Sequence, residues 1–143
     1  FKMNPPLRSQ ADKEALLEGI ADGTIDMIAT DHAPHSADEK SRGLEKSPFG
    51  IVGIETAFPL LYTHLVKTGF ISLEKLIALI SDTPRARFQI PQGDTFTAWD
   101  LEAEYTINPA EFLSMGKATP FAGTLVSGRC IATAIGEHLI YNI

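Results

Sequence analysis

The six residues Ile25-Asp26-Met27-Ile28-Ala29-Thr30 constrain the fold more than any other stretch of this chain. They make a short apolar run that reads as a buried strand. Upstream, a helix is expected from about Ser9 to Ala21. Ser9 and Asp12 each offer a capping oxygen, Leu16, Leu17 and Ile20 share one face, and Gly23 supplies the stop. Downstream comes Asp31-His32-Ala33-Pro34-His35, where Pro34 cannot continue a ladder. Helix, buried strand and a polar loop at its carboxyl end is an α/β arrangement, and α/β barrels place catalytic groups at that end of their strands.

The stretch from Ser36 to Gly53 is polar, rich in Gly and Pro and without period, which is long for a mere connection and suits a lid or binding loop. Two helices are expected next. Ile54, Phe58, Leu61 and Leu65 recur at helical spacing, with Pro59 tolerable only in a first turn or at a kink. Ser72 caps a second helix carrying Leu73, Leu76, Ile77 and Ile80, which Thr83-Pro84 is expected to end. Beyond Pro91 the texture changes to strand-like runs at Phe96–Asp100, Tyr105–Ile107, Gly123–Val126, Cys130–Ile135 and His138–Tyr141, with Gly136-Glu137 as a hairpin turn. Two parts follow from this: residues 1–90, α/β in character, and residues 91–143, a small β-rich module.

Composition removes some classes of function. The chain carries 12 basic and 18 acidic residues and no basic stripe, which argues against nucleic acid as a partner. No apolar run approaches the ~20 residues that span a bilayer. Cys130 is the only cysteine, so no internal disulfide can form, in keeping with a reducing cytoplasm. The sequence opens on Phe1-Lys2-Met3, which reads as the end of a buried strand and leads to the expectation that the chain is part of a longer one.

Asp31 is the strongest candidate for chemistry. A carboxylate at a strand end can ligate zinc and shuttle a proton, although an aspartate there can equally cap the next turn. His32 and His35 are too few for a hydrolytic zinc site, which needs three protein ligands. His64 and His138 are expected to be surface or packing residues.

Four blocks in order carry a resemblance: Lys2-Met3-Asn4-Pro5-Pro6-Leu7-Arg8, Ile28 to His35, Glu39-Lys40, and Pro48-Phe49-Gly50-Ile51-Val52-Gly53-Ile54-Glu55-Thr56. Together they resemble the bacterial-type dihydroorotases of the amidohydrolase superfamily, and Thr119 to Gly123 and Val126-Ser127-Gly128 resemble that family's C-terminal β-module. The resemblance implies the C-terminal part of a (β/α)8 barrel followed by a small β-sandwich. It implies a zinc-dependent, reversible hydrolysis of dihydroorotate to N-carbamoyl-L-aspartate in pyrimidine synthesis.

By motif position, Asp31 is similar to the family's zinc ligand and general acid/base. Asn4 and His35 are similar to substrate-binding residues, His35 toward the substrate carboxylate. Phe49 and Gly50 correspond to backbone that holds the substrate ring, and His32 is expected to orient Asp31 or the loop. His35 favours dihydroorotase over hydantoinase-like relatives, because it suits a substrate with a carboxylate; another cyclic amidohydrolase, hydantoinase- or allantoinase-like, is the alternative.

The family's His-x-His motif, bridging lysine, two further histidines and substrate-binding arginine have no counterpart in the chain. A barrel takes ~250 residues. Weak or no zinc binding and no activity by the chain alone are therefore expected. So is association with the remaining polypeptide, with further copies of itself, or with another pyrimidine-pathway enzyme. The other reading is a non-catalytic dihydroorotase-like interaction module.

Overall fold

The structure is a computed structural model describing residues 2–142. The chain divides into two compact units: one takes residues up to 25, 29–58 and 106–125, the other 26–28, 59–105 and 126 onward.

In the first unit, helix α1 (Gln10–Asp22) begins at Ser9 and ends at Gly23 in the left-handed conformation, as its signals predict. Ser9 is the cap. Asp12 completes a capping box, its carboxylate accepting from the Ser9 N–H at 3.0 Å. Ile25 seats on this helix: its N–H donates to the Gly19 carbonyl at 2.8 Å, and a methyl on Gly19 would lie 3.1 Å from its side chain. Leu16 stays exposed, while Leu17 and Ile20 are half-buried.

The run Ile25–Thr30 is not a strand; none of its residues has a sheet partner, and none is fully buried. The expectation of a buried strand fails because a ladder needs a neighbouring strand, and no other described segment supplies one to this run. Of the strand end expected at Phe1–Met3, Phe1 lies outside the described residues, and Lys2 and Met3 likewise have no sheet pairing. The loop after His35 is more ordered than its composition predicts. It holds two one-turn helices, α2 (Ala37–Lys40) and α3 (Gly43–Lys46), the first with a Ser36/Glu39 capping box.

Helix α4 (Ile54–Leu61) contains Pro59 in its interior and passes into a π-helical turn at Tyr62–Val66. Phe58, Tyr62 and Leu65 are buried along it. Helix α5 (Leu73–Ile77), capped by Ser72, runs through a second π-turn at Ala78–Asp82 into α6 (Thr83–Phe88). Thr83-Pro84 was expected to end this helix and does not. In the π-turn the Thr83 N–H donates to Ala78 rather than Leu79, and Pro84 has no N–H to give, so the Leu79 carbonyl is left over. The Ile28 N–H takes it at 2.9 Å.

The five expected strand runs merge into three strands. These are β1 (Thr95–Thr106), β2 (Leu125–Ile135) and β3 (His138–Asn142), in the order β1-β2-β3. β2 and β3 pair antiparallel through the turn at Gly136, with a bulge between Thr133 and Ala134. A polar bridge ties helix to sheet in this unit. The Thr63 hydroxyl accepts the Ser127 N–H at 2.8 Å, and the Lys67 ammonium reaches Ser127 Oγ at 2.8 Å and Glu104 at 3.2 Å.

Candidate active site

Asn4, Asp31, Phe49 and Gly50 line one cleft of about 210 Å³, together with Met3, Pro5, Thr30, Ala33 and Ile51. Asp31 adopts a left-handed backbone (φ 44°), which aspartate tolerates better than most residues. Its exposed carboxylate has no hydrogen-bond partner among the described residues. Asn4, joined to Pro5 by a cis peptide, is also exposed. The cleft therefore offers one open carboxylate and one amide.

Gly50 packs so closely on Ala33 that a Cβ would fall 2.4 Å from the Ala33 methyl, and its φ of +122° also excludes larger residues. Its N–H donates to the Lys2 carbonyl at 3.0 Å, and its own carbonyl accepts from Lys40 Nζ at 2.9 Å. Both polar groups of Gly50 are thus held by the protein.

His35 does not line the cleft. Its Nε2 donates to the Phe49 carbonyl at 2.9 Å, and its Nδ1 lies 3.8 Å from Glu39. In this geometry the imidazole positions Phe49, and a substrate carboxylate would have to displace that carbonyl to reach Nε2.

Two lysines that sequence reasoning left without a role fasten the loop. Lys40 Nζ meets the carbonyls of Pro48 at 3.0 Å, Gly50 at 2.9 Å and Lys2 at 3.5 Å. Lys2 Nζ meets the carbonyls of Ser47 at 2.9 Å and Glu45 at 3.2 Å, and sits 4.5 Å from the centre of the Phe49 ring. The partners are backbone carbonyls up to 45 residues away, so no local pattern announces them. The Ser36-x-x-Glu39 capping box, by contrast, was readable in the sequence.

His32 is held at both ring nitrogens. Its Nδ1 accepts from the N–H groups of Gly53 at 3.1 Å and Ile54 at 3.2 Å, at the start of α4, and its Nε2 lies 3.4 Å from Ser114 Oγ. Ser114 donates to Glu55 at 2.6 Å, and Glu55 also accepts the N–H groups of Leu113 at 2.7 Å and Ser114 at 3.0 Å. Burial works against charge on Glu55. The hydrogen bonds from Ser114 and Leu113, with Lys117 nearby, outweigh it and keep this carboxyl below the usual glutamate range. Gly116 completes the packing: a Cβ there would come 2.5 Å from the His35 carbonyl.

Among the described residues no group of three or more His, Cys, Asp or Glu side chains could hold a metal ion. Of the residues at the cleft, Asp31 is the one carboxylate and none is a histidine or cysteine, so the fit to zinc is to a single such ligand and not to a complete site. His64 and His138 are exposed, as expected. Among the described residues, no helix is long and apolar enough to cross a membrane.

No family profile matches the sequence. The dihydroorotases of Bacillus cereus and Halalkalibacterium halodurans are 56% and 53% identical to it over 99% of the chain. The chain spans 35% of the length of these relatives. The fold is similar to that of an L-hydantoinase (dihydropyrimidinase) from Arthrobacter aurescens, with a TM-score of 0.89 and 27% identity over 99% of the chain and 34% of that structure. In sequence the chain is similar to about a third of these dihydroorotases, and in fold it is similar to a hydantoinase-type amidohydrolase.

Proposed function

We propose that this chain is the C-terminal part of a dihydroorotase. In this reading residues 1–90 belong to the catalytic barrel and 91–143 to its β-module, and the whole enzyme opens the cyclic amide of dihydroorotate reversibly to N-carbamoyl-L-aspartate in pyrimidine synthesis. The observation that carries the reading is the convergence of Asn4, Asp31, Phe49 and Gly50 on one cleft, with the Asp31 carboxylate left open.

In this reading Asp31 takes the proton of the attacking water and returns it to the ring nitrogen as the amide opens. Asn4 bonds the substrate, and the Phe49–Gly50 wall bounds its ring. His35 keeps that wall in place and reaches the substrate carboxylate only by exchanging its bond to Phe49. Asp31 would also supply one ligand to zinc, the others coming from the remaining polypeptide. A bound zinc contributes Lewis acidity toward water and an amide carbonyl. The single cysteine supports a cytoplasmic setting. The partners are the small-molecule substrate and the rest of the enzyme, with further copies or another pyrimidine-pathway enzyme as companions.

The test is turnover by the complete enzyme containing this segment, offered dihydroorotate and hydantoin separately, with zinc content measured on the same sample. Dihydroorotate should be the better substrate. Asp31→Asn should lower its kcat by ~10²–10⁴ while circular dichroism stays unchanged. Preference for hydantoin would move the enzyme to the hydantoinases, whose fold it shares. Turnover of neither substrate would favour a non-catalytic module.

A further inference from the structure

Asp31 is peptide-bonded to His32, so whatever immobilises the His32 ring limits how Asp31 can turn. That ring is held at both nitrogens. Two backbone N–H groups, from Gly53 and Ile54, point at Nδ1, which therefore carries no proton; the ring proton is on Nε2. Nε2 then donates to Ser114 Oγ, and Ser114 donates its own proton to Glu55 Oε1, a carboxylate oxygen that can only accept. Glu55 is anchored in turn by the Leu113 and Ser114 N–H groups. The two backbone N–H groups fix the direction at the His32 end, and the carboxylate fixes it at the Glu55 end. The chain joins the loop at residue 32 to a segment 82 residues further on. Neither Ser114 nor Glu55 lines the cleft.

We propose that Ser114 and Glu55 are positioning residues for Asp31, fixing through the Nε2–H tautomer of His32 the orientation of the catalytic carboxylate. The inference rests on the functional reading above, and it makes residues of the segment after β1 part of the machinery of the active site. Such supporting bonds matter because a catalytic group displaced by a fraction of an ångström loses its alignment with the reacting atoms.

Two measurements on the complete enzyme test this separately from the activity itself. Nitrogen-15 NMR of histidine-labelled protein should give His32 the shifts of a neutral ring protonated at Nε2, and Ser114→Ala should shift that signal toward a tautomer mixture. In kinetics, Ser114→Ala and Glu55→Gln should each lower kcat by about 10- to 100-fold, as loss of such outer partners typically does. KM should stay within about twofold and Ser114→Thr should recover most of the loss, the pattern of an interaction made chiefly in the transition state. Folded Ser114→Ala and Glu55→Gln enzymes with parental kcat would overturn the proposal. So would a parent His32 protonated at Nδ1, or a kcat loss that follows lost stability and is not recovered by threonine. A parent that does not hydrolyse dihydroorotate, but shows the Nε2–H tautomer and its loss in Ser114→Ala, would refute the functional reading and leave the positioning network standing.

Discussion

The two units of the chain are built on different principles. In the unit formed by residues 26–28, 59–105 and 126 onward, Leu76, Leu79 and Val126 are essentially sealed from solvent, with Tyr62, Leu65 and Ala134 around them. Burial of aliphatic surface dominates there. In the cleft-bearing unit the buried aliphatic and aromatic side chains are few, Val52, Phe58 and Ile107, and they share the interior with Ser47, Thr56 and Thr119. Its segments are instead cross-linked by directional bonds from Lys2, Lys40, His32, His35 and Glu55 to backbone. Apolar burial is non-directional and sets stability, whereas hydrogen bonds to fixed carbonyls and N–H groups set position. The difference teaches that the cleft is shaped for placement of a few atoms more than for strength.

The largest effect is expected where the apolar unit is cut. Leu79→Ala should destabilise the protein by ~2–5 kcal/mol in urea unfolding, from lost transfer energy and the cavity left behind. A cost below ~1 kcal/mol would mean this unit does not depend on its aliphatic core. In the cleft unit, Gly50→Ala should cost about 1–3 kcal/mol although it removes no contact, because the new methyl meets Ala33 and the backbone is left-handed. A neutral result would show that the Phe49–Gly50 wall can yield, and that placement in this unit is not rigid.

Lys40→Met keeps the aliphatic stem but deprives the carbonyls of Pro48 and Gly50 of their charged donor, and should cost about 1–2 kcal/mol. Faster hydrogen exchange at the Gly50 amide, which donates to Lys2, is the local signature to look for. The smallest effect is a pH dependence at Glu55. Its carboxyl is lowered on folding, so its contribution is complete above the ordinary glutamate range and is lost as pH falls through the lower folded value. The stability gap between the parent and Glu55→Gln, followed by unfolding from neutral to acid pH, should close at the acid end; a gap independent of pH would remove Glu55 from the set of charged anchors.

Local signals were read well from the sequence. Ser9 and Gly23 bound α1, Ser72 starts α5, and Gly136 turns β2 into β3, because each depends only on residues within one turn. Of the candidate site residues that the motif resemblance singled out, the fold brings Asn4, Asp31, Phe49 and Gly50 to one cleft and leaves His35 outside it. What local reading misjudged was cooperative. The run Ile25–Thr30 has the composition of a buried strand but no neighbour to pair with, and Pro84 sits within a continuous helical stretch because a π-turn one step earlier absorbs its missing N–H.

The sequence by itself determined the helix caps, the α/β texture, the hairpin turn and the likeness to dihydroorotases, since all of these rest on residue type and short spacing. Only the tertiary structure decided that His35 braces Phe49, that Lys40 clasps three carbonyls, and that Ser114 and Glu55 stand behind His32. Those bonds join groups far apart in the chain, and mostly to backbone atoms that every residue carries, so residue identity cannot announce them before the fold has brought them together.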